Sequence, residues 1–208
     1  MPRKSIVIFA AVCMGLAVLI AGLTWWTMSR RTEPSEQAVV TFGEADIGGP
    51  FQLVDQTGRQ VDESILEGKW TAVFFGFTYC PDYCPTTLQT LAVVRDQLGA
   101  QAEDLQIVFI TVDPERDTPA AMADYLSTRG FPEGVIGLTG TPEQVRAAAD
   151  AYRVFYERRE QTGGYTMDHS LTVYLMNPEG EFVTPLSYGM GPERTATAIR
   201  RAMEEAAA

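Results

Sequence analysis

The first pattern along the chain is a long apolar run near its start. Residues 5–28, SIVIFAAVCMGLAVLIAGLTWWTM, carry no charge, and these 24 residues match the roughly 20 that a helix needs to cross a bilayer. Trp25 and Trp26 end the run, and basic pairs flank it (Arg3 and Lys4; Arg30 and Arg31). A cleaved signal peptide is the alternative, but the run is too long and lacks a small-residue cleavage pattern. We predict one retained transmembrane helix, with Cys13 as an apolar residue inside it.

Beyond this run, the chain alternates between strand-like and helix-like patterns. Continuous apolar runs and alternating apolar positions predict strands. They lie in Phe51–Val61 as a hairpin, in Trp70–Phe77, in Leu105–Asp113, and in Leu171–Asn177 and Glu181–Leu186 as a second hairpin.

Helical spacing of apolar residues predicts four helices in the same region. They begin at Pro85, Thr118, Thr141 and Pro192, and the first two end at Gly99 and near Arg129. The sequence TPEQ from Thr141 supplies an N-cap, a proline in the first turn and a capping-box glutamine. Strands alternate with helices, and a hairpin and a last helix follow. This order predicts an α/β sandwich with a central mixed sheet, of the thioredoxin-like type.

These patterns divide the chain into three parts. We expect a membrane anchor with basic flanks at 1–31, a polar linker at 32–47 and a thioredoxin-like domain at 48–208. All 27 acidic residues follow residue 31, with 12 of the 16 basic residues, which gives this part a net charge of −15. Such a surface argues against a nucleic-acid partner and favours cations or a basic protein.

Candidate chemistry begins with two cysteines in FTYCPDYCPTT. Cys80 and Cys84 occupy the loop that leaves a predicted buried strand and enters a helix, where reactive groups collect in such folds. Pro81 and Pro85 stiffen this loop. The helix N-terminus favours thiolate over thiol at both positions, so we expect a rigid dithiolate.

Two other interpretations of this pair differ in chemistry. A structural disulfide between them would close a short loop and would stabilise the fold by only about 2 kcal/mol. A thioredoxin-like redox pair is a stronger alternative, although three residues separate Cys80 from Cys84 where two are usual.

The chain has a single histidine, His169, which follows Asp168 directly before a predicted buried strand. In a thioredoxin-like fold, this position faces the cysteine loop, so two thiolates and one imidazole can converge. Soft thiolates with an imidazole suit Cu(I), and imidazole also suits Cu(II). Zinc would require a fourth ligand or water.

Four other residues are weaker candidates as ligands. Asp113 and Asp117 could bind a cation, but a turn followed by a helix cap at Asp117 and Thr118 explains them without one. Asp82 is interpreted as a turn residue. Met167 would share the face of His169 if the strand began early, which makes it a candidate axial thioether.

Three motifs together resemble one known family, the SCO/SenC copper chaperones of cytochrome c oxidase assembly. They are FTYCPDYCPTTL, TVDPERDTP (Thr111–Pro119) and DHSLTVYL, and the resemblance runs from about Gly48 to the last helix. It implies that Cys80, Cys84 and His169 are copper ligands of a metallochaperone that is not an enzyme.

The resemblance also implies a location and partners. It places a membrane-anchored domain outside the cytoplasm, where it serves the binuclear copper site of cytochrome c oxidase subunit II and receives copper from an upstream periplasmic donor. The N-terminus lacks the arginine-rich character of a mitochondrial presequence, so we expect a bacterial inner-membrane protein with its domain in the periplasm. The alternative function is a thiol:disulfide oxidoreductase that reduces the oxidase copper-site cysteines.

Overall fold

The computed structural model describes Met14, Gly15 and residues 47–207. Apart from Met14 and Gly15, which are helical, the expected anchor with Cys13 lies outside the described residues, as does the linker before Ile47. Within the described part of the chain, no helix is both long enough and apolar enough to cross a bilayer. The anchor and the three-part division of the chain therefore stay predictions.

Nine strands lie in the described region and form two separate sheets. They are β1 (Gln52–Asp55), β2 (Gln60–Asp62), β3 (Trp70–Gly76), β4 (Leu105–Thr111), β5 (Ile136–Thr139), β6 (Tyr156–Gln161), β7 (Gly164–His169), β8 (Thr172–Met176) and β9 (Phe182–Ser187). Seven of them form one sheet in the order β2-β1-β5-β4-β3-β8-β9, and β6 pairs only with β7.

Strand β3 lies near the centre of the large sheet. It runs parallel to β4 and antiparallel to β8, and β4 runs parallel to β5. All seven residues of β3 are buried, as its continuous apolar sequence predicts. The expected α/β fold with a central mixed sheet is confirmed.

Helices cover both faces of this sheet. They are α1 (Tyr83–Leu98), α2 (Pro119–Leu126), α3 (Pro142–Ala151) and α4 (Pro192–Ala206), and short 3₁₀ helices cover Glu63–Leu66 and Gly99–Asp104. Successive residues of β3 point to opposite faces, so Phe74 packs with Leu88 of α1 and Ile199 of α4, whereas Phe75 packs in a second cluster with Val145 of α3.

Two helix starts follow the local capping signals, and two other helix boundaries differ from those expected. The capping box at Thr141 is present, and Thr118 caps α2 by accepting a hydrogen bond from the amide of Ala121. Helix α1 begins at Tyr83, two residues before Pro85; a proline is compatible with this first turn because the amides there have no acceptor within the helix. Helix α2 ends at Leu126, earlier than expected, and the chain then turns through Gly130 at a φ of 92°.

The sequence patterns missed three strands, namely β5 and the β6–β7 hairpin. In this hairpin Tyr156 lies opposite His169, and Gln161 lies opposite Gly164. His169 therefore ends a strand of its own before β8 begins. Tyr156 and Met167 pack against the core and attach the hairpin to the rest of the domain.

Candidate metal centre

The cysteine loop, residues 77–82, is fixed by the end of β3 and the start of α1. The amide of Cys80 donates to the carbonyl oxygen of Phe77 at 3.2 Å, and Cys84 lies in the first turn of α1. At Gly76 a Cβ atom would lie 2.5 Å from Cys84 Sγ. Only glycine leaves room there for the sulfur, so the last residue of β3 helps to set the position of Cys84.

The structure brings Cys80, Cys84 and His169 together. Both Sγ atoms and an imidazole nitrogen lie within 4.8 Å of one another, and Cys84 Sγ lies 3.8 Å from His169 Nε2. Both cysteines are buried and free of a disulfide, and His169 is partly buried. The three residues offer two sulfur donors and one nitrogen donor at a single point.

Backbone contacts orient the imidazole toward the sulfurs. His169 Nδ1 lies 2.8 Å from the carbonyl oxygen of Ser170, which can only accept, so Nδ1 carries the proton. Nε2 is then the ring nitrogen that faces the sulfurs. Ser170 is held in turn, since its amide donates to the carbonyl oxygen of Phe155 and its hydroxyl accepts from the amide of Phe155. The imidazole is therefore presented as a ligand.

The two thiols differ in acidity. A hydrogen bond from the Cys84 thiol lowers the pKa of Cys80 to about 4; burial opposes this shift, and His169 and two backbone amides support it. The same hydrogen bond, together with burial and the nearby Cys80 charge, raises the pKa of Cys84. The metal-free pair thus holds one thiolate and one thiol, where the helix N-terminus alone predicted two thiolates. A bound metal would displace the remaining proton.

Asp117 has a structural role that the sequence patterns missed. It is fully buried and accepts hydrogen bonds from the Thr78 amide at 3.0 Å, from the Thr78 hydroxyl at 2.5 Å and from the Thr111 hydroxyl at 2.5 Å. Burial raises its pKa, and these hydrogen bonds act in the opposite direction. Asp117 therefore ties the cysteine loop to the end of β4, while Thr118 alone caps α2.

The remaining candidates take other positions. Asp113 is buried, forms an ion pair with Arg116 and accepts from the Tyr165 hydroxyl at 2.9 Å. Asp82 precedes α1, 3.5 Å from the hydroxyl of Thr86. Among the described residues, neither of these carboxylates nor that of Asp117 belongs to a cluster with metal-binding geometry that includes the cysteines. Met167 shares a face of β7 with His169 and packs against the core.

Comparison with known proteins places the chain in a family. A family model described as SCO1/SenC matches residues 40–204. The chain belongs to the SCO1/SenC family. The match includes all three motifs and confirms the resemblance seen in the sequence. Two family members with similar sequences are mitochondrial proteins: SCO1 homolog 1 of Arabidopsis thaliana is 46% identical over 143 residues, and the human SCO2 homolog is 40% identical over 178 residues.

The relatives are longer than the matched region. The Arabidopsis match covers 68% of this chain and 42% of that protein, and the human match covers 84% and 64%. The chain thus spans less than two thirds of either relative.

Solved SCO1/SenC structures share this fold. Bradyrhizobium japonicum ScoI with copper bound is 44% identical, with a TM-score of 0.68 over 74% of this chain and 98% of that chain. Arabidopsis thaliana ScoI with copper bound is 40% identical, with a TM-score of 0.72 over 76% of this chain and 99% of that chain.

Proposed function

We propose that this SCO1/SenC protein is a copper chaperone that binds one copper ion through Cys80, Cys84 and His169. The observation that carries this proposal is the convergence of two sulfurs and one imidazole nitrogen within 4.8 Å. Two soft sulfur ligands and one imidazole suit a low-coordinate Cu(I), and the imidazole also accepts Cu(II). The copper-bound structures of related ScoI proteins support copper as the cargo.

The same proposal includes a membrane anchor and a location. Residues 1–31 anchor the chain in a bacterial inner membrane, residues 32–47 form the linker, and residues 48–208 form the copper-binding domain in the periplasm. The uncharged run at residues 5–28 supports the anchor.

We also propose which proteins supply the copper ion and receive it. An upstream periplasmic donor supplies the copper, and the domain delivers it to the binuclear copper site of cytochrome c oxidase subunit II. The net charge of −15 beyond the anchor favours protein partners with a basic surface and disfavours nucleic acid. The chaperone catalyses no reaction in this role.

A second function has support from the unequal thiols. The Cys80 thiolate can attack a partner disulfide, forming a mixed disulfide and releasing one partner thiolate. Cys84, once deprotonated, attacks the Cys80 sulfur and releases the second partner thiolate. Two electrons pass to the partner, and this chain ends with a Cys80–Cys84 disulfide. Such a thiol:disulfide oxidoreductase would reduce the oxidase cysteines before copper enters.

The experiment that tests copper binding uses the purified, reduced full-length protein in detergent micelles. Copper stoichiometry and X-ray absorption should give one copper per chain with two sulfur neighbours and one nitrogen neighbour. Cys80→Ser and Cys84→Ser should each abolish tight binding, and His169→Ala should keep the sulfur neighbours while losing the nitrogen. Unchanged copper affinity in either cysteine variant would reject the site.

Oxidase assembly in cells separates delivery from reduction. A strain with His169→Ala should assemble little oxidase at limiting copper and recover when copper is added, because mass action refills a weakened site. A reductase needs only the two sulfurs, so its function should survive this change. Normal assembly at limiting copper, with the variant protein at wild-type abundance, would reject delivery and leave the oxidoreductase.

A further inference from the structure

An arginine lies between the cysteine loop and the β6–β7 hairpin. The guanidinium carbon of Arg116 is 4.7 Å from the centre of the Tyr79 ring and 3.8 Å from the centre of the Tyr165 ring. Arg158 lies 3.6 Å from the Tyr165 ring. We call Arg116, Tyr79 and Tyr165 the Arg116 stack, and Arg158 of the same hairpin contacts it without being part of it. The stack joins three segments that are distant in sequence: the cysteine loop, the 112–118 loop and the hairpin that ends at His169.

Polar contacts fix Arg116 within this stack. Its guanidinium forms an ion pair with the buried Asp113, and its Nη1 donates to the carbonyl oxygen of Tyr165 at 3.1 Å. The Tyr165 hydroxyl donates to Asp113 at 2.9 Å, which closes a ring of three side chains. Because each member contacts the other two, the hairpin cannot tilt at Tyr165 without breaking this ring.

The hairpin depends on such side-chain contacts for its orientation. It forms its own two-stranded sheet, separate from the large one, and an isolated hairpin of two strands is at best marginally stable. Tyr165, Met167 and His169 alternate along β7 and so share one face. Tyr165 lies about 13 Å from His169 along the strand. A contact at Tyr165 therefore restrains the direction in which the strand carries the imidazole.

A second contact links Arg116 to the imidazole by a shorter route. The guanidinium of Arg116 lies 5.8 Å from the centre of the buried Phe77 ring, and the His169 ring meets Phe77 edge-on at 5.8 Å. Phe77 thus lies between the cation and the candidate ligand, next to the cysteines in sequence.

From these contacts we propose that Arg116 is a positioning residue, which holds the β6–β7 hairpin against the cysteine loop and so keeps His169 Nε2 beside the two sulfurs. The significance for copper rests on the proposed function. The position of His169 Nε2 can be measured in the metal-free chain, without copper.

Arginine suits this position better than lysine. Its planar guanidinium can stack on aromatic rings and form directed hydrogen bonds at the same time, whereas an ammonium acts as a point charge. Arg116 Nη2 is buried and has no hydrogen-bond partner among the described residues. The ring faces of Tyr79 and Tyr165 therefore supply part of its stabilisation.

The first test observes the imidazole directly. His169 is the only histidine in the chain, so nuclear magnetic resonance of the reduced, metal-free, full-length protein gives one set of imidazole proton signals. The Phe77 ring shifts these signals, and Phe77→Leu identifies that shift. Arg116→Met should remove most of the same shift, and Arg116→Lys should not restore it.

The matched control is Arg158→Met. Arg158 contacts Tyr165 from the outer side of the stack and is 45% exposed, and its other described partners are Glu115 and Glu160. This variant should leave the His169 signals in place. Unchanged signals in a folded Arg116→Met protein would overturn the proposal. Should Arg116→Met fail to fold, Tyr165→Leu should move the signals and Tyr165→Phe, which keeps the ring, should move them less; equal effects would also overturn it.

The second test measures copper affinity in a double-mutant cycle. Loss of a group that orients a metal ligand typically costs roughly 10- to 100-fold in affinity, and we expect Arg116→Met to fall in this range. In the His169→Ala background it should have no further effect, because the imidazole that it positions is absent. Equal losses in both backgrounds would overturn the proposal. Absence of copper binding by the wild-type protein would reject the proposed function, while the imidazole signals would still decide the role of Arg116.

Discussion

The cysteine loop and the β6–β7 hairpin meet at one point but are held there in different ways. The loop continues from β3, whose seven residues are all buried, and Asp117 fixes it with three hydrogen bonds. The hairpin forms a separate sheet, with strand β6 almost entirely exposed. The two sulfurs thus belong to the core of the domain, and the imidazole nitrogen belongs to an appended element.

This difference predicts how the positions of the two sulfurs and of the imidazole nitrogen respond to substitutions nearby. Disturbing the sulfurs requires a change in the packed core, where interiors tolerate little change in volume. Disturbing the imidazole requires only the loss of a few side-chain contacts between the hairpin and the rest of the domain. We therefore expect core substitutions to alter stability and copper binding together, and hairpin substitutions to alter copper binding with little loss of stability.

The largest expected effect concerns the acidity of Cys80. Its pKa is lowered to about 4, so its thiolate should dominate above that pH and be lost as the pH falls through it. At pH 6 a thiol with an ordinary pKa is only about 0.3% thiolate, which is roughly 300-fold less than the thiolate fraction expected for Cys80. The rate of iodoacetamide modification of reduced, metal-free protein, followed by mass spectrometry from pH 3 to pH 9, should have its midpoint near pH 4.

Cys84 and its substitution provide the control for this measurement. In the wild-type protein, Cys84 should stay unmodified at pH 6, because its hydrogen bond to Cys80, its burial and the neighbouring thiolate charge all raise its pKa. Cys84→Ala removes the group that donates to Cys80 and should move the midpoint upward. A wild-type midpoint near pH 8.5 would contradict the unequal pair.

The next effect in size comes from Gly76→Ala, which tests the core side of the comparison. The new methyl group would lie 2.5 Å from Cys84 Sγ and 2.7 Å from Phe109. Overpacking of this kind typically costs about 1–3 kcal/mol of unfolding free energy. Because Cys84 must move, we also expect copper affinity to fall by at least about 10-fold, as it does when a group that orients a ligand is lost.

Gly137→Ala is the matched control. It adds the same methyl group to another strand of the same sheet, 2.6 Å from Leu126 and 3.0 Å from Met122, away from the cysteines. Thermal unfolding should show a lower Tm for both variants, and a copper competition assay should show weaker binding only for Gly76→Ala. Equal copper affinities in the two variants would show that β3 does not set the position of Cys84.

The sequence was most informative where the signal is local. The aromatic run Trp70–Phe77 and the capping sequence at Thr141 each predict an element from adjacent residues, and both elements are present. Strand β6 carries no such signal, because its sequence YERREQ is mostly charged and exposed. Strand β5 has four residues and includes Gly137, which weakens a strand pattern.

For the candidate site too, the sequence predicted some features and missed others. The spacing of Cys80 and Cys84 placed both at the strand-to-helix junction, and the fold type brought His169 toward them. The orientation of the imidazole depends on the Ser170 carbonyl, and the role of Asp117 depends on Thr78 and Thr111. Thr78 and Asp117 lie in segments that only the folded chain brings together, and the contact with Ser170 requires a backbone conformation that the sequence pattern does not specify. The sequence therefore predicted which residues meet but not what holds them.

The smallest expected effect separates the hydrogen bonds of Asp117 from its charge. Asp117→Ala leaves the Thr78 amide without its acceptor, which should cost about 1–3 kcal/mol of unfolding free energy. Asp117→Asn keeps an oxygen for the Thr78 amide and the Thr111 hydroxyl, and its amide group can donate to the Thr78 hydroxyl. We expect Asn to stay within about 1 kcal/mol of the wild type.

The difference in unfolding free energy between Asp117→Asn and the wild type should depend on pH. Burial raises the pKa of Asp117 above its ordinary value of 3.8, so the folded state binds the proton more tightly than the unfolded state. Wild-type stability from this group is present below pH 3.8 and is lost as the pH rises through the folded pKa. Asn has no proton to lose, so its unfolding free energy relative to wild type should rise with pH. Urea denaturation followed by circular dichroism should show this trend from pH 4 to pH 8, and a trend in the opposite direction would mean that the fold requires the ionised carboxylate.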